Sequence, residues 1–94
     1  MSKLLETAEK IELVQTCGAC PEQYDAFLDG KQVGYLRLRH GYFSVTYPDV
    51  SGEYVYEAEP KGDGLFEDDE RSGYLANARM ALAIKLSEEE DENI

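Results

Sequence analysis

The sequence predicts an α+β fold: an antiparallel β-meander of about four strands, a long C-terminal helix packed on one face, and a short N-terminal helix or strand. Three observations carry this expectation. Short runs rich in Tyr, Val, Leu and Phe recur about every ten residues through the middle of the chain, turn-forming dipeptides separate them, and an apolar stripe at helical spacing follows. With 94 residues the chain suffices for one domain with one modest core.

At the N-terminal end, Ser2 to Glu9 (SKLLETAE) suits a short helix, with Ser2 as its cap and Leu4, Leu5 and Ala8 on one side. Ile11 to Thr16 (IELVQT) reads as a strand just as well, so the first element is either a short helix or a strand, or a helix running into a strand. The meander then comprises Gln23 to Leu28, Gln32 to Arg39, Tyr42 to Tyr47 and Glu53 to Ala58. Asp29-Gly30 and His40-Gly41 supply two-residue turns, because glycine takes positive φ freely and Asp and His tolerate it. Pro48 to Gly52 is a longer third connection.

Two-residue turns set register, and register assigns faces. Across His40-Gly41, Leu38 opposes Phe43, Leu36 opposes Val45 and Gly34 opposes Tyr47, which makes this the core face. The other face carries Tyr35, Arg37 and Arg39 on one strand and Tyr42, Ser44 and Thr46 on the next. Counting through Asp29-Gly30 in the same way sets Tyr24 opposite Tyr35, on that second face. After Glu59-Pro60 and the glycine-rich PKGDGLF, a helix runs from about Asp68 to Ser87. Its stripe is Leu75, Ala78, Leu82 and Leu86, widened by Tyr74, Ala81 and Ile84. Residues 1–87 then form a single α+β domain, and 88–94 an acidic disordered tail.

Charge narrows the function. Twenty Asp and Glu against nine Lys and Arg give a formal net charge of −11. Nucleic-acid affinity comes largely from Lys and Arg displacing counterions, so direct nucleic-acid binding is disfavoured, whereas a basic partner is attracted from a distance. No run approaches the roughly 20 apolar residues of a membrane span, and Met1 to Lys10 has no apolar signal-peptide core. The expected address is the cytoplasm, with no membrane contact, and the expected state is a monomer or homodimer.

Several motifs have both a structural and a functional reading. Cys17-Gly18-Ala19-Cys20-Pro21 is a C-x-x-C, which can supply half of a zinc site or a redox dithiol. The only His is His40, in a hairpin turn, so zinc needs four cysteines shared across a dimer; otherwise Cys17 and Cys20 are two reduced thiols in a loop. No cofactor is expected. Lys61-Gly62-Asp63-Gly64 lacks the phosphate-loop pattern, and the acids Glu67, Asp68, Asp69 and Glu70 follow where a phosphate would dock. Those acids instead suit a helix start, with Asp68 or Asp69 as the cap and Phe66 as a staple. Glu88, Glu89, Glu90, Asp91 and Glu92 oppose the helix dipole, so they serve solubility or contact a basic partner. Tyr24, Tyr35, Arg37, Arg39 and Tyr42 combine the residue types of interface hot spots. Alternatively they are cross-strand pairs on a solvated face, with Arg37 offset by Glu22 across the first hairpin. Catalysis has little support: the G-x-S-x-G and H-E-x-x-H patterns are missing, as are a second His and a third Cys. The chain is expected not to be an enzyme.

The order helix, strands, helix is similar to that of the double-stranded-RNA-binding domain. In that family the last helix starts with lysines that grip phosphate, whereas Glu67-Asp68-Asp69-Glu70-Arg71 stands here, so its RNA binding is not implied. In size, acidity and sheet-plus-helix layout the chain resembles the small inhibitors of phages and mobile elements, including anti-CRISPR and DNA-mimic proteins. That resemblance implies an inhibitor that occupies a basic, nucleic-acid-binding surface of another protein with its carboxylates.

Overall fold

Both hairpin dipeptides take the left-handed backbone their residues permit, with φ of 53° and 83° at Asp29 and Gly30 and of 54° and 73° at His40 and Gly41. A computed structural model describes residues 3–17 and 22–92, with side chains to residue 89. Its elements are helix α1 (Lys3–Lys10), strands β1 (Glu12–Cys17), β2 (Glu22–Leu28), β3 (Lys31–Arg39), β4 (Tyr42–Tyr47) and β5 (Glu53–Ala58), and helix α2 (Asp68–Glu92). The strands form one antiparallel sheet in chain order. The fold is the α+β meander the sequence predicts, with β1 as a fifth strand. The ambiguous N-terminal segment is a helix followed by a strand; the expected cap at Ser2 lies outside the described residues.

Three of the four hairpins contain a bulge, and the bulges decide which side chains face the core. The β3–β4 pair alone is regular, and it joins Leu38 to Phe43 and Leu36 to Val45 as expected. Between β2 and β3 the register shifts after Ala26, where Val33 is the extra residue, so Tyr24 opposes Leu36 and not Tyr35. Tyr24 therefore points into the core and is only 8% exposed. Its assignment to the outer face is corrected, because a one-residue shift sends every later side chain through the sheet. Similar shifts fall at Gln15/Cys17 in β1–β2 and at Val45/Thr46 in β4–β5.

The core lies between the sheet and α2. Leu36, Leu38, Phe43 and Val45 from the sheet meet Phe66, Ala78 and Leu82, all buried. At about 100° per residue, Leu75, Ala78, Leu82 and Leu86 lie along one side of α2, as expected. Ile84 sits nearly opposite Leu82 and is 43% exposed, while Ala83, outside the predicted stripe, is buried. The reason is α1, which packs on the other flank of α2, where Arg79 Nε donates to the Ile11 carbonyl at 3.2 Å. Gly34 lets the helix approach closely, since a Cβ there would lie 2.7 Å from a methyl of Leu82. α2 also runs to Glu92 instead of ending near Ser87, so Glu88 to Glu92 continue the helix.

The α2 start is organised by a carboxylate, but not the expected one. Glu70 accepts hydrogen bonds from the backbone N–H groups of Lys61 and Gly62 at 2.8 Å and of Glu67 at 2.9 Å. This is the backward arm of a capping box, with the acid on the third helical residue. Asp68 instead pairs with Arg71 at 2.8 Å, and Asp69 with Lys61 at 2.9 Å. Phe66 is buried in the core and its ring stacks on Tyr74 of α2, with centroids 5.6 Å apart. The loop is tied to the sheet by Gly41 N–H to the Asp63 carbonyl at 2.6 Å and Glu22 N–H to the Gly64 carbonyl at 3.0 Å. A Cβ on Gly62 would stand 2.0 Å from the Leu65 carbonyl oxygen, so the backbone itself would have to move. Gly62→Ala should therefore cost about 1–3 kcal/mol by urea unfolding, in the range of overpacking; a loss below about 0.5 kcal/mol would show that the loop yields.

Candidate protein-binding surface

Helix α2 covers one face of the sheet and leaves the other open. On the open face, strand pairing sets residues in rows across the sheet. One row runs Val14, Asp25, Tyr35, Thr46, Tyr54, and the next runs Cys17, Gln23, Arg37, Ser44, Glu57. Arg39 and Tyr42 form a further pair beside the His40-Gly41 turn. Of the five residues predicted for this surface, Tyr35, Arg37, Arg39 and Tyr42 are brought together here and Tyr24 is not.

The centre of the face is low and its surround is high. Ser44 and Thr46 are 9% and 5% exposed, shielded by longer neighbours, and Tyr54 stands 61% exposed. Arg37, Arg39, His40, Tyr42, Ser44 and Tyr54 line a depression of about 460 Å³. Neither arginine forms an ion pair with a described residue. The Nε of Arg37 and the Oγ1 of Thr46 are buried without a hydrogen-bond partner among the described residues. The Tyr35 hydroxyl donates to Gln23 Oε1, and the Tyr42 hydroxyl donates to Glu57 Oε1. The bond to the Glu57 carboxylate favours the neutral phenol and pushes Tyr42 up to about 12.

Tyr54, His40 and Glu57 escaped the sequence reading as members of this surface. For His40 the signal was present, since a turn residue next to Arg39 and Tyr42 must flank them. For Tyr54 and Glu57 it was not: the five residues 48–52 and the bulge after Val45 prevent any count of register into β5.

Glu22 does not offset Arg37. It is 1% exposed on the core side, where Arg71 Nε donates to Oε2 and the Phe66 N–H donates to Oε1, each at 3.0 Å. The Tyr24 hydroxyl also donates to Oε2. Burial pushes the Glu22 carboxyl up, and the hydrogen bonds from Arg71, Tyr24 and Phe66 with the Arg71 charge outweigh it, so the net shift is down. Tyr24 itself is pushed up to about 12, first by burial and then by its bond to Glu22. This buried network joins β2 to the start of α2 and went unread, because the partners are 49 residues apart.

The carboxylates gather at the two ends of α2. Exposed Glu59, Asp63, Glu67, Asp68 and Asp69 surround its N-terminus, and Glu88 to Glu92 lie on its last turns. Near the latter end Lys85 binds Glu53 at 2.8 Å and Glu89 at 3.6 Å, which leaves Glu88 exposed. The Lys85 ammonium is held above its ordinary value, chiefly by its bond to Glu53.

Cys17 ends β1, half-buried, and Cys20 lies outside the described residues, as does the rest of the C-x-x-C loop. Among the described residues no group of three or more His, Cys, Asp or Glu side chains is arranged to hold a metal. No described helix is long and apolar enough to cross a membrane. No family model matches this chain, and neither does any curated protein or solved structure.

Proposed function

We propose that this chain is a non-enzymatic acidic binding protein, an inhibitor that occupies the basic surface of a nucleic-acid-handling protein. The observation that supports this reading is the position of the acids on α2. The exposed Asp68 and Asp69 and the run Glu88 to Glu92 sit on one continuous helix, about 30 Å apart at 1.5 Å per residue. Two acidic clusters held on one rod suit an extended basic surface of the sort that grips a phosphate backbone. Negative charge on the last turns works against the helix dipole, so local stability gives no reason for it.

The test is affinity purification followed by binding measurements on the recovered partner. A nucleic-acid-handling protein should be recovered, its nucleic acid should compete with this chain, and affinity should fall at least about 10-fold between low and moderate salt. Truncation after Ser87 should weaken the complex and slow its association. A partner without a basic surface, or a complex insensitive to salt, would overturn the reading.

A further inference from the structure

Independently of that reading, we propose that the depression on the open sheet face is a binding site for a phosphate monoester. Arg37 and Arg39 hold the anion in this site, and the hydroxyls of Ser44 and Tyr54 complete its shell. The two arginines are two residues apart on β3, so both side chains leave the same face, from Cα atoms roughly 7 Å apart. They reach the same depression, with Ser44, Tyr54 and His40 on its walls. Its volume of about 460 Å³ lies within the usual range of small-ligand pockets, about 300–1,000 Å³.

Donors are in surplus there. Neither guanidinium has an ion-pair partner among the described residues, and the buried Arg37 Nε has no acceptor. The nearest carboxylate in the pairing, Glu57, is the cross-strand partner of Ser44 and already accepts the Tyr42 hydroxyl. The guanidinium groups of Arg37 and Arg39, without carboxylate partners among the described residues, are the donors an arriving oxyanion can take up. The number of donors favours phosphate over carboxylate. One guanidinium saturates a carboxylate through a bidentate pair, whereas a monoester carries about two negative charges and three terminal oxygens for two guanidiniums and two hydroxyls.

The net charge of −11 does not forbid this. At physiological salt the screening length is about 8 Å, so Glu88 to Glu92 at the C-terminal end of α2 are largely screened, whereas the Asp63 carboxylate stands beside Gly41 at the rim of the depression. Glu57 and Asp63 are close enough to matter, and they set the affinity for a bare anion in a weak range, on the order of 1 mM. The exposed ring of Tyr54 favours an aryl ester, by about 2- to 10-fold for one aromatic pair.

The probes are inorganic phosphate, phenyl phosphate, O-phosphoserine, acetate and a single-stranded oligodeoxynucleotide. Each is titrated into the full chain at constant ionic strength and followed by amide chemical shifts. Saturable shifts confined to residues 37–44 and 54–57, with phosphate tighter than acetate, are expected. Phenyl phosphate against O-phosphoserine separates aryl from alkyl esters. Arg39→Gln, on an exposed side chain, should weaken phosphate at least about 5-fold, and Glu57→Gln should tighten it about 2-fold, which no loss of folding could mimic. The proposal is overturned if no shift saturates, if acetate binds as tightly as phosphate, if neither substitution changes the affinity, or if the oligonucleotide binds more tightly per phosphate than the monoesters.

Discussion

Arg71→Ala should lower the unfolding free energy by about 3 kcal/mol at neutral pH, although the side chain lies at the edge of the core. Removing one member of a buried ion pair typically costs about 3–5 kcal/mol, because the other charge is left buried and uncompensated. The Glu22 side chain is 0% exposed and the Arg71 side chain 30% exposed, so water moderates the loss towards the lower end. More than the pair is affected: Arg71 also donates to the Phe66 carbonyl at 3.0 Å, and Glu22 holds the Phe66 N–H. The loop 59–67 therefore loosens with it. Glu22→Gln keeps the shape and removes the charge, so it should cost less, about 1–3 kcal/mol. The double variant should be more stable than Arg71→Ala alone, since no buried charge remains.

The pH dependence separates this account from a simple packing loss. In the native chain the Glu22 carboxyl is held below its ordinary value, so its contribution is fully present above the unfolded value of about 4.3. It is lost as pH falls through the folded value. In Arg71→Ala burial prevails and the carboxyl rises, so the sign reverses: the variant loses stability as pH rises from about 4.3 through the new folded value. Urea unfolding from about pH 2 to about pH 8 reads both slopes, the native one below about 4.3 and the variant's above it. Equal slopes for the two proteins, or a loss below about 1 kcal/mol at pH 7, would refute the network as the cause.

Phe43→Ala should cost about 3–5 kcal/mol, the range for removing a buried aromatic ring. Phe43 is 0% exposed and packs edge to face on Phe66 at 5.0 Å, Tyr56 at 6.0 Å and Tyr74 at 6.2 Å between ring centroids. Those rings come from β5, the loop before α2, and α2 itself, so one side chain joins three segments. Their backbones are fixed elsewhere, which limits collapse into the cavity. Domains of this size are stable by about 5–14 kcal/mol, so the variant is expected to be partly unfolded on warming. Tyr54→Ala on the open face provides the control and should change stability by less than about 0.5 kcal/mol. A Phe43→Ala loss of similar size would place the core elsewhere.

The sequence by itself determined the parts that depend on local chemistry. Asp29-Gly30 and His40-Gly41 could only be tight turns, so the three strands around them and the pairing of Leu38 with Phe43 were readable, and the spacing of Leu75, Ala78, Leu82 and Leu86 marked the face of α2 that packs on the sheet. Tertiary structure decided the rest. The extra residue at Val33 turned Tyr24 into the core, and a bulge leaves no mark in composition or turn type. Glu22 was assigned to Arg37 by proximity along the hairpin, yet burial made it choose Arg71, because a buried carboxylate needs a partner that reaches the same dry space. That choice left Arg37 without its expected carboxylate beside Arg39, and neither has an ion-pair partner among the described residues, a feature of the outer surface that charge counting alone could not find.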